Sequence, residues 1–317
     1  MMPVNKPCKH TKPGRSPAAQ LYHGLRQATP AQPQHWSKHA RTSHPGPLRA
    51  LRRTGFTHSM ARLYSHAFYA ELSMTARRSA REIVPLVLEL VRPRSVVDVG
   101  CGTGAWLAAF QEYGVPDVLG IDRAHVPPEL LEVPARCFLV RDLARPLHLE
   151  RRFDLVLALE VAEHLPPSCA GAFVESLAGL GPLVLFSAAI PFQGGLHHMN
   201  EQWPEYWAAL FAAQGFVPID CIRPRVWENA RVQWWYAQNT LLYARREMLA
   251  SNPALRCAYE ASASQPRNLV HPQRYLGAAD LRRLGPRRLL AALPAAVWHS
   301  VQRRLGAPRR AVRPGSA

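Results

Sequence analysis

The sequence predicts an α/β fold: a doubly wound, mostly parallel sheet with helices on both faces. Three observations predict it. Short apolar runs alternate with helix-length segments from about residue 95 to 214, and such alternation builds parallel sheets because parallel neighbours need a crossover. The runs are nearly continuous in apolar residues, as expected of strands covered on both faces. Near the end, Phe216 to Ile222 and Trp234 to Tyr243 are strand-like with no helix expected between them. That hairpin would leave one strand antiparallel.

The elements follow in order. Ser73 to Val91 has apolar positions at Ile83, Leu86, Val87 and Leu90, which fit a helix with Ser73 as its N-cap and a kink at Pro85. Strands are expected at Ser95 to Val99, Asp117 to Ile121, Cys137 to Arg141, Phe153 to Leu159 and Pro182 to Ser187. Helices are expected at Ala105 to Tyr113, Cys169 to Leu177 and Trp203 to Gln214.

The 317-residue chain carries a net charge of +17, but unevenly. Residues 1–60 hold ten Lys or Arg and residues 281–317 hold nine Arg, with no acid in either, whereas residues 61–280 hold 20 basic and 22 acidic residues. The basicity therefore belongs to the ends, and no basic groove for nucleic acid is expected on the folded part. Three segments are expected: a disordered basic extension over 1–59, one catalytic domain over 60–250 with Met60 as an alternative start, and a basic extension over 251–317, partly helical or disordered. Within the last, Leu281 to Gly306 mixes Arg pairs with apolar residues, which suits weak peripheral contact with a membrane or a packing helix. No apolar run reaches the length of a membrane span. The cysteines Cys8, Cys101, Cys137, Cys169, Cys221 and Cys257 show no CxxC pairing, so reduced thiols and a cytoplasmic setting are expected.

VVDVGCGTGAW, Val96 to Trp106, puts Asp98 at a strand end and Gly100, Gly102 and Gly104 before a helix. Glycines let the backbone turn tightly against a ligand, and helix-start amides favour an anionic group. The GxGxG spacing departs from the GxGxxG of dinucleotide binders, which weakens a nicotinamide oxidoreductase reading. GID ends the next strand on Asp122, suited to ribose hydroxyls. VRDL brings Asp142, suited to an adenine amino group, and FDLVLALEVAEHLP leads to Glu160, Glu163 and His164. Most of these residues fall at carboxyl ends of parallel strands, where open sheets bind ligands.

In this order and spacing, DVGCGTG, GID, RDL and LEVAEHL resemble the class I S-adenosylmethionine-dependent methyltransferases, over about residues 80 to 245. The resemblance implies a Rossmann-like, seven-stranded sheet and S-adenosylmethionine as cofactor. It implies that Asp98, Gly100, Cys101, Gly102 and Gly104 line the methionine end, that Asp122 holds the ribose, that Asp142 and Leu143 flank the adenine, and that Glu160 faces the cofactor. IPFQGG followed by HxNEQWPxYW is similar to bacterial methyltransferases found near polysaccharide functions.

GGLHHMNEQWPEYW, Gly194 to Trp207, would lie over the cleft that receives the methyl acceptor. Asn200 suits a helix cap, Pro204 a first turn, Gly215 a stop, and Trp207, Leu210 and Phe211 the core. His198, with His197 and Glu163 as further candidates, would serve as general base toward an acceptor hydroxyl, since a neutral imidazole accepts a proton near pH 7; a structural role for His198 and Glu163 fits equally. His197 and Glu201 share an i, i+4 spacing but show no third ligand, so no metal is expected. Trp203, Tyr206, Trp227, Trp234, Trp235 and Tyr236 suit core packing or a sugar face. The expected activity is methyl transfer to a hydroxyl, or in second place an amine, of a small molecule or saccharide. The alternative is a non-catalytic adenosyl-binding module serving a glycosyltransferase-type partner.

Overall fold

A computed structural model of the chain describes residues 66–123 and 126–279, with helical positions at 290, 293–294, 296–298 and 301. The readings for residues 1–65, and most of those for 281–306, lie outside the described residues. Among the described residues no helix is long and apolar enough to cross a membrane.

Seven strands form one sheet: β1 Ser95–Val99, β2 Asp117–Asp122, β3 Phe138–Val140, β4 Leu155–Leu159, β5 Leu183–Ser187, β6 Phe216–Ile219 and β7 Leu241–Arg245. Their order is β3-β2-β1-β4-β5-β7-β6. β1 to β5 pair in parallel, and β7 runs antiparallel between β5 and β6. The chain thus reverses its direction of winding between β3 and β4, on either side of β1, and ligands bind outside the carboxyl ends of strands at such a point.

Strand alternation sorts the core into two layers. Val96, Leu155, Leu157 and Leu185 face one side, with Ile83, Val84 and Val87 of α1 (His66–Leu90) and Leu107 and Phe110 of α2 (Ala105–Glu112). Val97, Val99, Val156 and Val184 face the other, with Phe173 and Leu177 of α3 (Ala170–Leu180) and Trp207 and Phe211 of α4 (Pro204–Ala213). Burying one such side chain stabilises the fold by about 1.5 to 3 kcal/mol. On the second layer Phe211 stacks on Tyr243 with ring centroids 4.0 Å apart, and Phe186 meets Trp207 at 5.2 Å.

Three expectations need correction. Ser73 does not cap α1: the helix begins a full two turns earlier, and the Ser73 hydroxyl donates to Glu132 instead. Pro85 sits inside the unbroken helix because Ile83, Val84 and Val87 around it are fully buried and hold the turn in place. Asn200 does not cap α4 either; Trp203 occupies that position, while Asn200 is buried and its backbone amide donates to the Glu163 carbonyl at 3.1 Å.

The final hairpin is not direct. Between β6 and β7 lie two short helices, α5 (Arg223–Val226) and α6 (Trp234–Asn239), so the aromatic run after Gln233 is helical where a strand was expected. Aromatic residues favour strands in general, but here burial decides: Tyr236 packs edge-on against Trp106 at 5.2 Å, which a helical turn allows. Packing continues past residue 250. Leu255 of α8 (Pro253–Ser262) is fully buried, and the buried Arg223 guanidinium pairs with Asp220 at 2.6 Å and donates to the Arg267 carbonyl at 2.7 Å.

Candidate active site

Two constellations form at the carboxyl end of the sheet. The first surrounds the turn from β1 to α2. Gly100, Gly102 and Gly104 all take left-handed backbone (φ 89°, 52° and 85°). At Gly100 the requirement is also steric, since a β-carbon there would stand 2.4 Å from a Val161 methyl. The Gly100 amide donates to the Ile121 carbonyl at 2.7 Å, and the Gly102 amide donates to the Asp122 carboxylate at 2.7 Å. The glycine turn is thereby pinned to the tip of β2.

Asp98 and Cys101 are buried beside it, and burial together with the nearby Asp122 raises the Asp98 carboxyl to about 7. Burial likewise pushes the Cys101 thiol well above its ordinary range. Asp142, just past β3, is half-exposed. Its carboxylate accepts from the Ala144 amide at 3.1 Å and lies 3.9 Å from the Arg123 guanidinium, while Leu143 next to it is buried. Asp98, the glycine turn and Asp122 thus form one contiguous group, with Asp142 joined through Arg123.

The second constellation lies past β4 and β5. Glu160, the first residue after β4, has left-handed backbone (φ 55°). Its carboxylate accepts from Asn239 at 3.0 Å and from Gln193 at 3.0 Å, and its amide donates to the Ser187 hydroxyl at 3.0 Å. Gln238 joins by donating to Gln193 at 3.1 Å. Burial raises the Glu160 carboxyl, and these hydrogen bonds oppose the rise.

One turn on, Glu163 is 0% exposed, and neither carboxylate oxygen makes a well-formed hydrogen bond, with the Glu160 carboxyl and the Ala189 backbone as its nearest polar neighbours. Burial first, and then the Glu160 charge, hold its carboxyl well above the usual range. His164 and His198 meet edge to face with centroids 4.8 Å apart. Burial, and next the His198 charge, lower His164 to about 4. The His198 ring donates through Nδ1 to Glu201 at 2.9 Å. Gly195 lies against that ring so closely that a β-carbon would stand 2.1 Å from Nε2. His197 is exposed, with left-handed backbone (φ 59°).

One oxygen of Glu163 and one nitrogen each of His164 and His198 lie within 4.8 Å of one another. The sequence paired His197 with Glu201 and so found no third partner; the fold groups His198 with Glu163 and His164 instead. Gln193 and Asn239 were missed as parts of this side. IPFQGG carries the first as a quoted motif, but no spacing rule links position 160 to position 239. Of the six aromatics singled out, Tyr236 is buried on Trp106, Trp227 lies 4.8 Å from His271, and Trp203 stays 38% exposed.

Parts of this chain are similar to known proteins. A family model described as a methyltransferase domain matches residues 72–218. A ubiquinone biosynthesis O-methyltransferase of Nitrobacter winogradskyi is 27% identical over 129 residues, 38% of this chain and 44% of that protein. The secondary metabolism regulator LAE1 of Cochliobolus heterostrophus is 30% identical over 137 residues, 43% of this chain and 40% of that one. The chain thus spans less than half the length of these curated relatives. Among solved structures, an O-methyltransferase family protein from Burkholderia thailandensis is similar with a TM-score of 0.42 and 17% identity, over 60% of this chain and 62% of that one. Residues 72–218 thus match a methyltransferase domain, and they contribute six of the seven strands of the sheet described above.

Proposed function

We propose that this chain transfers the methyl group of S-adenosylmethionine to a hydroxyl, or in second place an amine, of a small molecule or saccharide. The observation that carries the reading is the left-handed glycine turn pinned by the Gly102 amide to Asp122 at the tip of β2. A turn without side chains lets a ligand approach the backbone closely, and Asp122 keeps lone pairs for ribose hydroxyls. Asp98, Gly100, Cys101, Gly102 and Gly104 take the methionine end, Asp142 and Leu143 flank the adenine, and Glu160 closes the cofactor side. The names of the curated relatives support oxygen as the acceptor atom. The partly exposed Trp203 suits an acceptor with a ring face.

In the reaction an acceptor oxygen attacks the methyl carbon in line. The new C–O bond forms as the C–S bond breaks, the electron pair goes to sulfur, and the hydroxyl proton leaves. Holding the partners in line supplies on the order of 7 to 11 kcal/mol. Removing the proton beside Glu163, His164 and His198 supplies about 10² to 10⁴ in rate. The catalytic domain runs from about residue 60 and draws on packing through α8, and its setting is cytoplasmic.

Calorimetry with S-adenosylhomocysteine and an acceptor screen with labelled S-adenosylmethionine test this. Binding that weakens in Asp122→Ala, with label transferred to an acceptor, is expected. Binding without transfer to any acceptor would reduce the chain to a cofactor-sensing module. No binding would end the reading.

A further inference from the structure

The geometry points to a divalent first-row transition cation held by Glu163, His164 and His198, with its remaining positions open to the acceptor oxygen. This inference rests on the proposed methyl transfer for its purpose but not for its test. Three features carry it. Their three candidate ligand atoms lie within 4.8 Å of one another. Glu163 is completely buried with neither carboxylate oxygen in a well-formed hydrogen bond, a condition that costs free energy unless a cation or a proton satisfies it. His198 is fixed through Nδ1 by Glu201 at 2.9 Å, the carboxylate support that orients metal-binding imidazoles and keeps the other ring nitrogen basic.

Two imidazoles and one carboxylate are a borderline donor set, suited to manganese, iron, cobalt or zinc rather than to magnesium or calcium. Ligands about 2.1 Å from one ion lie roughly 3 to 3.5 Å apart, so the three groups close by up to about 1 to 2 Å around it. Burial keeps His164 neutral and able to ligate at pH 7. The acceptor hydroxyl then coordinates the cation and loses its proton to solvent. Its oxygen forms the C–O bond as the C–S pair passes to sulfur, so the products are a methyl ether, a neutral thioether and one proton. In this arrangement His198 acts as a ligand and not as the base.

The full chain, free of any histidine tag and stripped with chelator, is titrated with Co²⁺ in the absence of S-adenosylmethionine. One equivalent with visible d–d absorption is expected. Glu163→Gln and His198→Ala should each weaken it about 100-fold or more, and Glu201→Gln about 10-fold or more. The exposed His148→Ala should leave it unchanged. Ion-free Glu163→Gln should melt close to wild type, since a neutral amide replaces a carboxyl of the same shape, yet lose the Co²⁺-induced rise in Tm; if it does not fold, His164→Gln carries the same comparison. Absence of saturable absorption, or equal affinity in wild type and Glu163→Gln, overturns the site. Tight Co²⁺ binding with methyl transfer indifferent to chelator overturns its catalytic role. Tight binding with no transfer at all overturns the proposed function and leaves the site standing.

Discussion

The two halves of the carboxyl end of the sheet are built on opposite terms. Around β1 to β3 the left-handed positions are glycines, and Asp122 and Asp142 both accept hydrogen bonds from backbone amides. Around β4 and β5 three non-glycine residues, Glu160, Phe192 and His197, take left-handed backbone beside Gly194, and the buried Glu163 carboxylate makes no well-formed hydrogen bond. A non-glycine residue at positive φ costs about 1 to 3 kcal/mol and persists only where its surroundings enforce it. The first half is a relaxed cradle made by the backbone. The second is a strained one made by side chains, and strain of this kind collects where groups must be aimed.

The sharpest way to break the contrast is to disturb each half by one β-carbon. Gly195→Ala would drive a methyl into His198; methyl transfer should fall about 100-fold or more, as a displacement of about 1 Å costs. Affinity for S-adenosylhomocysteine in calorimetry should stay within about twofold. Equal loss in both would erase the division. Gly100→Ala meets both a left-handed φ and Val161; cofactor affinity and Tm should fall together, with stability lowered by about 1 to 3 kcal/mol. Asp122→Ala should weaken cofactor binding about 10- to 100-fold, the worth of hydrogen bonds to a charged group, while the acceptor KM changes little.

A subtler effect separates the halves by pH. Asp98 stands at about 7 in the folded chain against 3.8 for a free carboxyl. A raised carboxyl favours the folded state fully below its unfolded value, and that contribution is lost as pH rises from about 4 through 7. A cationic sulfonium nearby pulls the proton off, so S-adenosylmethionine affinity should climb between pH 6 and 8. Calorimetry in two buffers of different ionisation enthalpy should register proton release; none would detach Asp98 from the cofactor. The smallest effect belongs to the C-terminal stretch, where Leu290, Leu293, Val297, Trp298 and Val301 are exposed. Sedimentation with anionic vesicles should drop only modestly in Trp298→Ser, and no change removes a membrane role for this end.

The glycine-turn half was legible in the sequence because each of its parts is a short local run: DVGCGTG, GID and RDL name a strand tip and the turn that follows. The sheet was legible for the same reason, since continuous apolar runs keep their meaning wherever they pack. The half around β4 and β5 was read only in fragments. Glu160, Glu163, His164 and His198 stood out by type, but Gln193 and Asn239, which hold Glu160, and the meeting of His164 with His198 depend on segments that only the strand order joins. Ser73 misled because a good capping residue also serves inside a helix when a distant carboxylate takes its hydroxyl. Trp234 to Asn239 misled because aromatic content reports burial more than extended backbone.

The antiparallel strand has a bearing on where this protein can be cut. The family match stops at residue 218, but β6 runs to Ile219 and its sheet partner among the described residues is β7 at 241–245, which also covers the flank of β5. A fragment ending at 218 would bare a long row of unpaired amides and carbonyls along an apolar strand, a template for self-association. The smallest piece that stays dispersed should extend past Arg245, so the unit of inheritance here is shorter than the unit of folding.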